Sequence, residues 1–223
     1  MNYVFHFNVV LDHLPELLEG AWLTIRLSAM AMVLGLALAV VTAYARMTGP
    51  APVVWLVAGY VELIRNTPFL VQIFIIYFSL PALGIRLEAN EAALAAMTVN
   101  LGAYATEILR AGIEALPRGQ IEAAKALGLP RLAIFRYVIL FPALKTVFPA
   151  LASQFILLML GSSVVSAISA VELTAVTNSL QSTTFRAFEF YFFATGLYLA
   201  MALGFRFALG VIYWAAFQRR AWN

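Results

Sequence analysis

The chain has 223 residues, 63% of them hydrophobic and 11% charged, with no cysteine and a formal charge of +3. Soluble domains carry about 25% charged residues, so this composition excludes a water-exposed globule and indicates a single-domain integral membrane protein. The absence of cysteine excludes a disulfide framework or thiol chemistry, and cations this few, gathered at one membrane face, do not suggest nucleic acid.

Residues 1–20 mix aromatics with Asp12, Glu16 and Glu19 and include Pro15 and Gly20, which predicts an interfacial segment outside the membrane. The start lacks a basic region, so no cleavable signal is expected. His6 and His13 read as interfacial side chains rather than metal ligands. About 20 apolar residues cross the hydrocarbon core, and residues 22–45 supply them for a first span, with Gly49-Pro50 as a break. The next hydrophobic stretch divides in two. An apolar helix from Pro52 to Arg65, interrupted by Glu62 and Arg65, is expected at the cytoplasmic surface. Pro68 then restarts the chain for a second span over 66–85, with Pro81 and Gly84 at the external turn. Glu62 and Arg65 form either an interfacial charge pair or part of a gate.

A third span is predicted over 91–113. Asn100, Tyr104, Glu107 and Ala111 fall on one stripe of it, and ionisable groups at membrane depth face a cavity or a partner. A fourth span over 148–168 contains Gly161-Ser162-Ser163, a small polar break that serves either helix packing or a ligand. A loop with Glu172, Gln181, Arg186 and Glu189 is expected outside, before a last span over 190–217. Arg206 lies near the middle of that span, where an isolated charge costs at least ~2.5–3.5 kcal/mol. It is expected to face the interior and meet an acid or carbonyl, with Glu107 the first candidate by depth.

Cations set the orientation. Arg46, Arg118, Lys125, Arg131, Arg136, Lys145, Arg219 and Arg220 share one side, against Arg86 and Arg186 on the other. The N-terminus is therefore expected outside and the C-terminus in the cytoplasm.

The basic segment from Arg118 to Pro149 is expected as a cytoplasmic loop with a short helix over about 120–128. Glu122-Ala123-Ala124-Lys125-Ala126-Leu127 consists of strong helix formers. Gly128 suits the left-handed cap and Pro130 blocks continuation. A helix with so little bulk can lie flat in a partner's groove. Glu122-Ala123-Ala124, three residues, then Gly128 resembles the EAA motif of permease subunits of bacterial ABC importers. The preceding Arg118-Gly119-Gln120, and Glu62 through Arg65-Asn66-Thr67-Pro68 with Val71-Gln72 following, narrow the resemblance to polar amino acid permeases. It covers about Gly20 to Phe217.

The resemblance implies an all-α membrane domain of five transmembrane helices with a cytoplasmic coupling helix, the type I ABC importer permease fold. It implies a bacterial inner membrane location, a second permease chain, two cytoplasmic ATPases that hold ATP and magnesium, and a periplasmic solute-binding protein. Arg118, Gly119, Gln120, Glu122, Ala123, Ala124 and Gly128 would meet the ATPase, with Ala123 or Ala124 packed closest. An amino acid in a membrane cavity needs partners for both charges. Glu107 is the expected ammonium acceptor, Asn100 can orient either end, and backbone N–H groups around Gly161, Ser162 and Ser163 can meet the carboxylate. Two departures stand out. Related permeases carry Leu-Pro-Gln-Ala where this chain has Leu140-Phe141-Pro142-Ala143, so the next helix is expected to start at a shifted position. They also carry Lys-Asp-Thr-Ser or Lys-Asn-Thr-Ser where this chain reads Leu160-Gly161-Ser162-Ser163. The lost anchor favours an uncharged or acidic solute, or a different permease as the second chain, with the heteromer slightly preferred.

No phosphate-binding GxxxxGK[ST], HExxH or serine–histidine pair is present, so catalysis is not expected and ATP hydrolysis falls to a partner. The alternatives are a permease for another small polar metabolite, an opine or compatible solute, and an ion-coupled secondary carrier, which usually has more spans with internal symmetry.

Overall fold

The computed structural model describes residues 4–218. Arg219 and Arg220, two of the cations behind the expected orientation, lie outside the described residues. Among the described residues, four helical stretches are long and apolar enough to cross a bilayer, and a bent pair of helices makes a fifth span if counted as one.

A short α1 (Asn8–Asp12) leads directly into α2 (Leu14–Thr48). The segment read as interfacial is thus largely helical, and the first membrane helix begins well before residue 22. Pro15 falls in the first turn of α2, where its missing N–H has no intrahelical acceptor to lose. Gly20 is no break either. A Cβ there would lie 3.1 Å from the Leu173 Cα, so the position is a close contact between helices.

The central helix is α5 (Ala89–Glu114), which packs on α2, on α8 (Phe141–Gly161) and on α3 (Ala51–Arg65) and α4 (Phe69–Ser79). Lipid gives helices little hydrophobic reason to associate, so close approach through small residues matters more. Ala31, Gly35 and Ala39 form such a buried row on α2. A Cβ on Gly35 would sit 2.9 Å from the Leu101 Cβ. Thr42 and Thr106 close the same seam with their hydroxyls 2.6 Å apart.

The two-part second element is present, and α3 and α4 meet at 111°. The fourth span differs from expectation. After α6 (Arg118–Ala126), helical structure resumes at α7 (Arg131–Ala133) and runs through a π-helical segment (Ile134–Leu140), α8 and a 3-10 segment (Ser162–Ile168). Most of the expected loop after Pro130 is therefore helix. Pro142 does not set where a helix starts. Its nitrogen has no hydrogen to give the Val138 carbonyl, and the wide π turn lies immediately before it.

The expected external loop is also wrong, because α9 (Leu173–Thr184) occupies it. Its β-branched and polar residues are weak helix formers. Tertiary packing sustains it instead: Leu173, Thr177 and Leu180 are buried at four- and three-residue spacing. Glu172 caps the helix by accepting the Ala175 N–H at 2.8 Å. The last helix, α10 (Ala187–Tyr213), continues as a π segment to Gln218. Glu189, expected in the external loop, is fully buried in its first turn and accepts the His6 N–H at 3.0 Å.

Glu172 is fully buried as well, and its carboxylate accepts the Tyr198 hydroxyl at 2.6 Å. Burial pushes this carboxyl above its ordinary range, against the opposing pull of the Tyr198 and backbone hydrogen bonds. A carboxyl whose pKa is raised by folding adds stability at low pH and loses it as pH rises from the ordinary value through the raised one. Melting temperatures across that window should fall more steeply with pH in the wild type than in Glu172→Gln. Parallel slopes would remove Glu172 from the pH response of the fold.

Candidate functional site

A proline pushes the residue before it out of helical conformation, so Thr67-Pro68 ends α3 and restarts the chain as α4. Gln72, buried one turn into α4, closes this break. Its Nε2 donates to the carbonyls of Ile64 (2.7 Å) and Thr67 (3.0 Å) and to the Thr67 hydroxyl (3.0 Å). Its Oε1 accepts from Asn100 Nδ2 on α5 at 2.9 Å.

Asn100 borders a cavity of about 270 Å³ between the bend, α5 and α8. Thr67, Phe69, Tyr104, Gln154, Leu157, Leu158 and Gly161 complete its lining. The wall is neutral, with amide and hydroxyl groups set among apolar ones. The Arg65 guanidinium lies 5.7 Å from the ring centroid of Tyr104, within cation–π range of that lining residue.

Of the expected trio, Gly161 alone lines this cavity. Ser162 is buried, and its hydroxyl donates to the Met159 carbonyl at 2.7 Å. Ser163 spends its hydroxyl on the Leu160 carbonyl at 3.0 Å. Because the chain continues as a 3-10 helix, the backbone N–H groups there are taken up in helical bonding rather than offered to a ligand.

Glu107, the expected ammonium acceptor, does not line this cavity. It shares the stripe with Asn100 and Tyr104, but its carboxylate is already ringed by guanidinium groups. Arg110 Nη2 and Nε reach it at 2.5 and 2.9 Å, Arg46 at 3.6 Å and Arg65 at 4.0 Å. Arg110 also binds Glu114. Three helices (α2, α3 and α5) thus converge on one carboxylate. Glu62 takes no part: it is exposed and accepts from Asn66 Nδ2 at 2.9 Å. Of the two readings of Glu62 and Arg65, the charge pair between them does not form.

The pairing of Arg206 with Glu107 is likewise overturned. Arg206 is exposed on α10 and has no ion pair among the described residues. Depth along two helices was the only basis for pairing them, and Glu107 is occupied by cations on other elements.

The second surface is α6. Arg118, Gly119 and Gln120 form its exposed first turn. Gly128 adopts φ +71°, and the Gly128 and Leu129 N–H groups return to the carbonyls of Lys125 (3.0 Å) and Ala124 (3.3 Å). These paired bonds form a glycine-capped helix end. Ala124 is buried against Ile134, Phe135 and Ile139 of its own chain. It is therefore covered before any partner arrives, leaving Glu122, Ala123 and Leu127 exposed.

Gln72, Thr67, Tyr104 and Gln154 are site residues that the sequence reading did not assign. The available signal was the lone amide in an otherwise apolar run, in Phe69–Ser79 for Gln72 and in the fourth span for Gln154.

Residues 31–219 match the family described as binding-protein-dependent transport system inner membrane component. The chain is 33% identical over 196 residues to the probable glutamine ABC transporter permease protein GlnM of Bacillus subtilis, covering 88% of this chain and 91% of that one. It is 33% identical over 207 residues to the glutamine transport system permease protein GlnP of Escherichia coli K12, covering 92% and 94%. The crystal structure of an amino acid ABC transporter with histidines superposes with a TM-score of 0.84 at 34% identity, over 95% of this chain and 99% of that one.

Proposed function

This chain belongs to the family of binding-protein-dependent transport system inner membrane components, and from that premise we propose that it is the permease subunit of an ATP-driven importer for polar amino acids. The observation that carries the reading is the neutral polar cavity at the α3–α4 bend, whose α8 wall is joined through the π segment Ile134–Leu140 to the exposed helix α6. The cavity is the solute site, and α6 is the surface that meets a separate ATPase, which holds the ATP and magnesium. A solute-binding protein delivers from the outer side, where the N-terminus lies, and the C-terminus is cytoplasmic.

The lining suits a solute whose side chain is uncharged or acidic. Among the described residues no acid lines the cavity to balance a cationic side chain, and the Arg65 charge beside Tyr104 disfavours one. The second permease is a different chain. It supplies the anchor this wall lacks, and it covers Arg206, whose own helix offers a single acid, the buried Glu189.

The test is ATP-dependent uptake into proteoliposomes carrying this chain, its ATPase and its binding protein, with glutamine, glutamate and arginine as labelled probes. Glutamine or glutamate should accumulate when the second permease is present. No ATP-dependent accumulation of any of the three would overturn the reading. Selective arginine uptake by a homodimer of this chain would overturn the solute class and the heteromer.

A further inference from the structure

Gln72 does not line the cavity, yet its amide fits only one way round. Both Nε2 hydrogens serve oxygens, those of the Ile64 and Thr67 carbonyls and the Thr67 hydroxyl. Turning the amide over would set Oε1 against two carbonyl oxygens, leaving them without a donor. Oε1 is therefore held toward α5, and Asn100 can answer it only with Nδ2, as observed at 2.9 Å. A free asparagine presents either a donor or an acceptor. This one has Nδ2 committed, while Oδ1 has no hydrogen bond among the described residues and Asn100 borders the cavity.

We infer that Gln72 is a positioning residue that locks Asn100 with its carbonyl oxygen toward the cavity, so that a solute is received there by its ammonium group. The inference rests on the reading of this cavity as the solute site. It also assigns direction: the ammonium lies at Asn100, and the rest of the solute extends toward Gln154 and Gly161 on α8. The amide that sets this polarity is the one that closes the α3–α4 break, so occupancy of the cavity and the angle of the bend share a single side chain.

The test uses the solubilised permease–ATPase complex without binding protein, titrated calorimetrically with glutamine, glutamate and arginine, and with 4-carbamoylbutanoate, which is glutamine without its α-amino group. The wild type should bind the deamino compound at least about tenfold more weakly, the loss expected for a charge-assisted hydrogen bond. Equal binding would overturn the assigned direction, and this arm needs no variant to fold. The second arm is a double-mutant cycle of Gln72→Met and Asn100→Leu. A residue acting through Asn100 adds no further loss of affinity in the Asn100→Leu background. Additive losses would mean that Gln72 only shapes the bend. If the wild-type complex binds none of glutamine, glutamate and arginine, the cavity is not the solute site and the proposed function falls with the inference.

Discussion

Ala123→Arg in the complete transporter is expected to abolish solute-stimulated ATP hydrolysis and uptake, while the subunit still inserts and purifies. Ala123 is exposed on α6 beside Leu127, which is 79% exposed, and on the proposed reading this face enters the ATPase groove. A charge buried there without a partner costs roughly 3–5 kcal/mol, which weakens docking by about two to nearly four orders of magnitude. Ala124→Arg should give a different signature. Ala124 packs on Ile134, Phe135 and Ile139, so that substitution should lower the yield or melting temperature of the permease before any partner is added. Coupled turnover at the normal rate in Ala123→Arg would show that this face does not dock.

Glu107→Ala is expected to be the most damaging change at the end of the bundle nearest α6. It leaves Arg46, Arg65 and Arg110 close together, with Glu114 the one remaining acid bonded to the group among the described residues. Losing a hydrogen bond to a charged partner costs about 1.5–3 kcal/mol, so uptake should fall roughly tenfold to a hundredfold. Glu107→Gln keeps the size and one acceptor and should fall between. The Glu107 side chain is 23% exposed, so added salt should restore part of the Ala variant's activity by screening the repelling cations. Normal uptake by Glu107→Ala would remove this cluster from the transport cycle.

Much of the fold was legible because bilayer crossing imposes length and hydrophobicity on a sequence. The two-part second element was readable from Thr67-Pro68, and the α6 cap from Gly128. What escaped was governed by tertiary contacts. The sequence of α9 argues locally against a helix, and it forms because Leu173, Thr177 and Leu180 are buried. Pro15, Gly20 and Pro142 read as punctuation, but each sits inside or at the edge of a helix where its missing atom is harmless or useful. At the site, the stripe on α5 was recognised, yet a stripe does not say which member faces a cavity and which faces cations. Asn100 and Tyr104 went one way and Glu107 the other, because Arg46 and Arg65 come from other helices. Gln72 stayed hidden because its importance lies in the direction of its hydrogen bonds, which spacing does not reveal.

The π segment Ile134–Leu140 fixes an angle. It lies between α6 and the helix that forms one wall of the cavity, and a π turn holds more residues than an α turn. Successive residues of an α-helix advance by about 100°. Because a π turn takes up about one residue more than an α turn, letting the segment relax to α geometry with its residue count unchanged would rotate everything on one side by about that amount relative to the other. Gly161 and Leu157 would then turn away from Asn100, or α6 would present a different face. The π turn between Pro130 and Pro142 is thus a phase setting, which fixes how α6 and the cavity wall on α8 are turned relative to each other.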